Sequence, residues 1–187
     1  MSLYKLLNKD VRGQAMIETA IMLPVLLALA FNVINFGYFF LMTVNLAAAP
    51  RSGALYSILG SKTPATPGLP APALVDTLTR ADLTGAIYNG ATTPVQVCTA
   101  QAGTTGSGTS RIANCVPFNS APSVTPPADP EAPSFVLNQV DVTYTFTPLL
   151  DQRLFNLVLL APGLPCSSGG GAITCTFHRK ISMRSMN

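Results

Sequence analysis

The chain has 187 residues, of which 10% are charged and 48% apolar, and it carries a formal net charge of +3. Soluble domains average about 25% charged residues, so the charge content is unusual, while the ordinary apolar fraction matters through clustering. Lys5, Lys9 and Arg12 precede Gly13 against Asp10, and beyond it eight basic side chains face seven acidic ones; with no clustered basic face, nucleic acid is not expected as a partner.

Residues 1–13 read as a short basic leader. From Thr19 to Pro50 no residue is charged, and most are Ile, Leu, Val, Ala, Phe or Met. About 20 such residues cross a bilayer core of about 30 Å as a helix. Thr19 to Tyr38 supplies that length, and Phe36, Tyr38, Phe39 and Phe40 place interface-seeking aromatics at its far end. The helix is expected to continue outward to about Ala49, short of Pro50. The basic residues before the span, against Arg51 and the more distant Lys62 after it, predict a cytoplasmic N-terminus and a large domain outside. The rival reading is a cleaved secretory signal, whose apolar core should be about 7–15 residues. This run is about twice that, and Pro50 directly follows the Ala47-Ala48-Ala49 that mimics a cleavage site.

Beyond the span, residues 57–134 read as a loop-rich region with a short helix and strands. Ser57 to Pro72 is expected as linker, and Leu74 to Tyr88 as a helix with Leu74, Val75, Leu78 and Ala81 on one face. Val95 to Cys98 is expected as a strand, with Gln101–Ser110 and the proline-rich Asn119–Pro133 as exposed loops. Residues 135–187 read as β-rich. Val140, Val142, Tyr144 and Phe146 alternate with polar residues, the period of a half-buried strand. Leu149 to Leu160 is ambiguous between helix and strand, and Ala172 to Arg184 is a final strand. The fold class is therefore α+β: a long N-terminal transmembrane helix over residues 14–56, counting its extension, followed by a small antiparallel β-sheet domain with loops.

Cys98, Cys115, Cys166 and Cys175 all lie beyond the span, consistent with an oxidising compartment. The local pairing Cys98–Cys115 with Cys166–Cys175 is preferred, since both intervals look like hairpins or loops; buried free thiols are the alternative. No CxxC spacing occurs and there is one His, so no metal site is expected. Nor is a catalytic set or cofactor. His178 lies on the polar side of a strand, Asp141 and Asp151 fit strand surface and turn, and the glycine-rich stretches lack a following Lys-Ser/Thr. Arg179, Lys180 and Arg184 read as a solvated strand face, or as a contact to anionic lipid or an acidic partner.

Glu18 is the residue with physical leverage. An ionised carboxylate beside hydrocarbon is costly, so it lies among headgroups, protonates or meets a cation. Asn32, 14 residues on, falls within about 40° of the Glu18 face, and Asn35 widens the stripe by roughly 60°. Two polar groups on one face suit a helix–helix contact between subunits.

The run Arg12-Gly13-Gln14-Ala15-Met16-Ile17-Glu18-Thr19-Ala20-Ile21-Met22-Leu23-Pro24 resembles the start of TadE-like pseudopilins of tight-adherence (Flp-type IVb) pili. Asn35-Phe36-Gly37-Tyr38 resembles that family's Asp-Phe-Gly-Arg, and Ser52-Gly53-Ala54-Leu55-Tyr56 its small-residue stretch. Val140-Asp141-Val142-Thr143-Tyr144 and the late strand ending in Met183-Arg184 are also similar to it. Thr19 departs from the aromatic that often follows the Glu. The resemblance implies a minor pseudopilin, cut by prepilin peptidase between Gly13 and Gln14, whose Glu18 pairs with the N-terminal amine of an adjacent subunit. It further implies other pilins and pseudopilins, the inner-membrane pilus platform and membrane lipid as partners, and a role in pilus assembly, secretion, surface adhesion and biofilm formation. The alternatives are a single-pass anchor carrying a periplasmic binding or enzymatic domain, and an accessory factor of the secretion system that is never cut.

Overall fold

The computed structural model describes residues 3–59, 68–150, 153–169 and 172–186, with the backbone alone at 3–15, 153 and 186. The first two leader residues, residues 60–67 of the expected linker, and Asp151 lie outside the described residues.

Helix α1 spans Leu3–Leu59, so it runs through Pro50 rather than stopping before it. A proline inside a helix removes one amide donor and crowds the carbonyl four residues back. Tertiary packing offsets this here: Leu46, Ala49, Pro50, Gly53, Ala54 and Ser57 are all buried. The last turn is also tied down, since Asn138 Nδ2 donates to the Ser57 carbonyl at 3.3 Å and to its Oγ at 3.2 Å. That bond satisfies one of the carbonyls a helix end leaves without an internal partner. From Met16 to Ala30, by contrast, no residue is buried.

The chain divides into two compact units, Met1–Phe39 with Thr147–Thr174, and Phe40–Phe146 with Cys175–Asn187. In the second, helix α2 spans Pro72–Ala86, opening with proline at its first turn, where a missing amide is harmless. Its buried face is Val75, Asp76, Thr79 and Leu83, rotated from the face expected through Leu74, Leu78 and Ala81. Close backbone approach explains the rotation. A Cβ on Gly53 would lie only 3.5 Å from Thr79 Cβ and from Val140 Cγ2, and closer still to Thr79 Oγ1. Only glycine lets α1 approach α2 and the sheet together at this point.

Five strands, β1 (Val95–Thr105), β2 (Ile112–Phe118), β3 (Phe135–Phe146), β4 (Cys166–Gly169) and β5 (Ala172–Met186), form one sheet in the order β2-β1-β3-β5-β4. The β1–β2, β1–β3 and β3–β5 pairs are antiparallel. β1 extends to Thr105, into the stretch expected as loop, because Thr104 and Thr105 pair with Ala113 and Ile112 after a register irregularity. Backbone pairing needs no apolar side chain, so composition hid this part of the strand. Gly106 and Gly108, at φ 88° and 55°, make the reversal that follows. Cys98 and Cys115 sit opposite each other in the β1–β2 register and are disulfide-bonded; Cys166 and Cys175 are disulfide-bonded as well.

The strand β3 alternation is as expected on one face, where Val140, Val142, Tyr144 and Phe146 are buried. The opposite face is buried too, at Gln139 and Asp141. The proline-rich segment, expected as an exposed loop, straps this side of the sheet. Gln96, beside Asp141 in the register, accepts from Val124 N at 2.8 Å and donates to its carbonyl at 3.0 Å. Arg184 Nε holds the buried Asp129 at 2.9 Å and lies over the Phe135 ring.

Burial of Asp141 pushes its carboxyl above the ordinary 3.8, outweighing the attraction of His178 and Lys180, which pull it down. An acid with a raised folded value binds its proton more tightly in the native state, so the cost of ionising it appears as pH rises from 3.8 through that value. Asp141→Asn is therefore expected to raise Tm by about 2–5 °C at neutral pH. The gain should shrink as pH falls toward the ordinary carboxylate range, followed by circular dichroism of the detergent-extracted chain. A difference independent of pH would contradict this account.

Candidate functional site

α1 is the one described helix long and apolar enough to cross a membrane, over Met16–Leu59. Gly13 and Gln14 lie on its helical backbone, their side chains outside the described residues. Glu18 follows on an exposed turn, and no described cation pairs with it. It stands among exposed large apolar neighbours, Met16, Ile17, Ile21 and Met22.

Asn32 and Asn35, the two polar residues further along the run, are placed quite differently. Both are buried, Asn35 completely. They face a segment of their own chain, residues 147–164 of the same unit, whose described residues are irregular apart from a single tight helical turn at Arg153–Phe155. Asn32 Nδ2 donates to the Leu154 carbonyl at 2.9 Å and to the Ala28 carbonyl in its own helix at 2.8 Å. Asn35 Nδ2 lies 3.2 Å from the carbonyls of Leu150 and Phe155 and 2.9 Å from Asn156 Oδ1. The Asn35 amide also accepts, from Leu150 N at 3.3 Å. Asn156, itself buried, donates back to the Leu150 carbonyl at 2.6 Å. The Phe155 ring meets Phe31 edge-on, 4.8 Å between centroids.

Asparagine suits this position because its side chain offers the same amide donor and acceptor as the backbone. Two of them, one turn apart on a helix, can close the open hydrogen bonds of a non-regular segment lying alongside. Beside these inward bonds, the segment presents Leu149, Leu154, Leu157 and Val158 outward, 43–60% exposed.

Glu18 and Asn32, expected as one stripe, thus have different surroundings. Both donor hydrogens of Asn32 are used within the chain, while its Oδ1 is buried with no partner. The roles of Asn35 and Asn156 were missed from sequence. Their signal was present: an Asn pair three residues apart in an apolar run, and a single Asn inside the uncharged stretch Leu154–Pro165. Elsewhere, His178 is exposed and bonds Thr143 at 3.1 Å. In the C-terminal basic cluster, Arg179 and Lys180 are exposed, whereas Arg184 is engaged by Asp129 and Glu131.

With this geometry established, comparison with protein families gives one match: residues 13–55 fit the model described as TadE-like protein. Over that segment, less than a quarter of its length, the chain is similar to TadE-like proteins. The matched segment begins at Gly13, carries Glu18, Asn32 and Asn35, and ends just past Gly53. No curated protein and no solved structure matches the chain.

Asn35→Leu keeps the branched shape but orphans carbonyls of the 147–164 segment, a cost of about 1–3 kcal/mol. Hydrogen exchange at residues 154–161 should then quicken by roughly 10–100-fold, with strands β1 and β3 unaffected. Unchanged exchange in the segment would show that Asn35 does not hold it.

Proposed function

We propose that this chain is a minor pseudopilin of a tight-adherence pilus, an assembly element rather than an enzyme. The observation that carries the reading is the placement of Gly13 and Glu18: a basic leader, Gly13, four residues, then an acid at the mouth of an apolar helix, all at the start of the TadE-like segment. In this reading α1 crosses the inner membrane once, with the leader cytoplasmic and the sheet periplasmic. Prepilin peptidase cuts after Gly13, where the lack of a side chain suits a cleft, and Gln14 becomes the new N-terminus.

Cleavage creates a cation, the α-amine of Gln14, at the same depth as the acid. Within one helix the two sit about one turn apart, so neighbouring helices packed at slightly different heights bring one chain's amine beside the next chain's acid. Glu18 has no described partner of its own, which leaves it available for the N-terminal amine of an adjacent pilin or pseudopilin. Asn32 supports such a contact only through Oδ1, since its donors are used. The disulfides, buried sheet and strap make a folded head larger than a filament's repeating subunit requires. This suits a subunit that starts or supports assembly on the inner-membrane platform, and through the pilus promotes secretion-linked adhesion and biofilm formation.

Two measurements test the reading. Intact mass of the membrane-extracted protein should match residues 14–187, and full-length protein in cells with active peptidase would contradict it. Glu18→Ala should leave membrane insertion intact while reducing surface pili roughly tenfold or more, the scale of losing one partner of a desolvated charge pair. Normal piliation in that variant would remove the pairing role.

A further inference from the structure

We infer that the described residues of the 147–164 segment form a second membrane contact, in which the Leu149, Leu154, Leu157 and Val158 side chains enter the lipid of the leaflet that α1 leaves. The inference rests on reading α1 as a membrane span, and it adds a lipid-binding surface in the part of the chain outside the TadE-like match.

Three observations converge on lipid. The first is depth. If the span runs from Thr19 to Tyr38, Asn35 and Asn32 lie only about 5–9 Å inside its outer end, at 1.5 Å per residue. The carbonyls of Leu150, Leu154 and Phe155 are bonded to those two side chains, so the loop is held at that depth within its own unit.

The second is polarity. Irregular backbone is excluded from hydrocarbon unless its polar groups are satisfied by protein. Here the helix supplies the partners: three loop carbonyls and the Leu150 amide close on Asn32 and Asn35, and Asn156 closes on both Asn35 and Leu150. Leu160 N and Ala161 N are bonded within the loop, to Asn156 O and Val158 O. The third is its outward face. Asp151 and Arg153 are the last charges before Leu154, none occurs from there to Pro165, and Leu154, Leu157 and Val158, with Leu149 ahead of the charges, are large apolar side chains turned outward. That surface is continuous with the unburied apolar helix of the same unit, which in this reading is already in lipid.

None of the four cysteines is a free thiol, so one introduced cysteine can carry one probe. Leu157→Cys, at a 60% exposed position, would be labelled with bimane in the full chain and reconstituted in phosphatidylethanolamine/phosphatidylglycerol vesicles. Met22→Cys in mid-span and Thr105→Cys at the tip of the β1–β2 hairpin serve as references. The Leu157 label should be quenched by acyl-brominated lipid and shielded from aqueous iodide at least severalfold relative to Thr105. Iodide quenching equal to that at Thr105 would overturn the loop's insertion. Shielding from both quenchers would overturn it as well, showing a protein cover such as a second copy. Failure of the Met22 label to respond to brominated lipid would instead overturn the span itself.

Discussion

A handful of side-chain amides on an otherwise apolar helix determine what α1 can hold. A polar side chain inside hydrocarbon is expensive unless it is bonded, and so is a carbonyl outside regular structure. Asn35 cancels both costs at once, and Asn32 does so for its donors alone, by bonding the carbonyls of Leu150, Leu154 and Phe155. An aliphatic residue at either position would leave the 147–164 segment with open carbonyls and no reason to lie where it does. The same helix then serves a different purpose beyond Phe39, where Leu46, Ala49, Gly53, Ala54 and Ser57 pack as a core helix. The composition of α1 changes little along this length; what changes is its partner.

Small residues are what allow the second use. Gly53 admits Thr79 and Val140 at distances no larger residue tolerates, and Asn138 anchors the final turn through Ser57. These contacts explain why Pro50 is carried inside the helix instead of ending it. The family match, reaching residue 55, covers the start of the span, the asparagine pair and the close approach at Gly53, so it takes in each change in the surroundings of α1.

Much of this was legible in the sequence. The apolar run, the β3 alternation, the final strand and the Cys98–Cys115 bridge all follow from period, composition and spacing, because each is a local pattern. What local pattern could not reveal was anything decided by a distant partner. Pro50 reads as a stop until its packing is seen. The Gln101–Thr105 stretch reads as loop because strand β2 supplies its pairing, and Asn119–Pro133 reads as exposed because Gln96 and Arg184 are what hold it. At the site, Glu18 stood out through charge alone. Asn35 was read as widening a helix–helix stripe, since its intrachain role depends on Asn156, 121 residues away.

On the proposed reading, α1 lies in lipid as far as the asparagine pair and outside it beyond Phe39. Single cysteines at Leu29, Val33, Val44 and Leu55, all exposed on the chain itself, test this most directly. In intact cells made permeable only at the outer membrane, a membrane-impermeant maleimide should modify Val44→Cys and Leu55→Cys, and leave Leu29→Cys and Val33→Cys unmodified until detergent is added. Modification of Leu29→Cys and Val33→Cys at the rate of Val44→Cys would contradict the account.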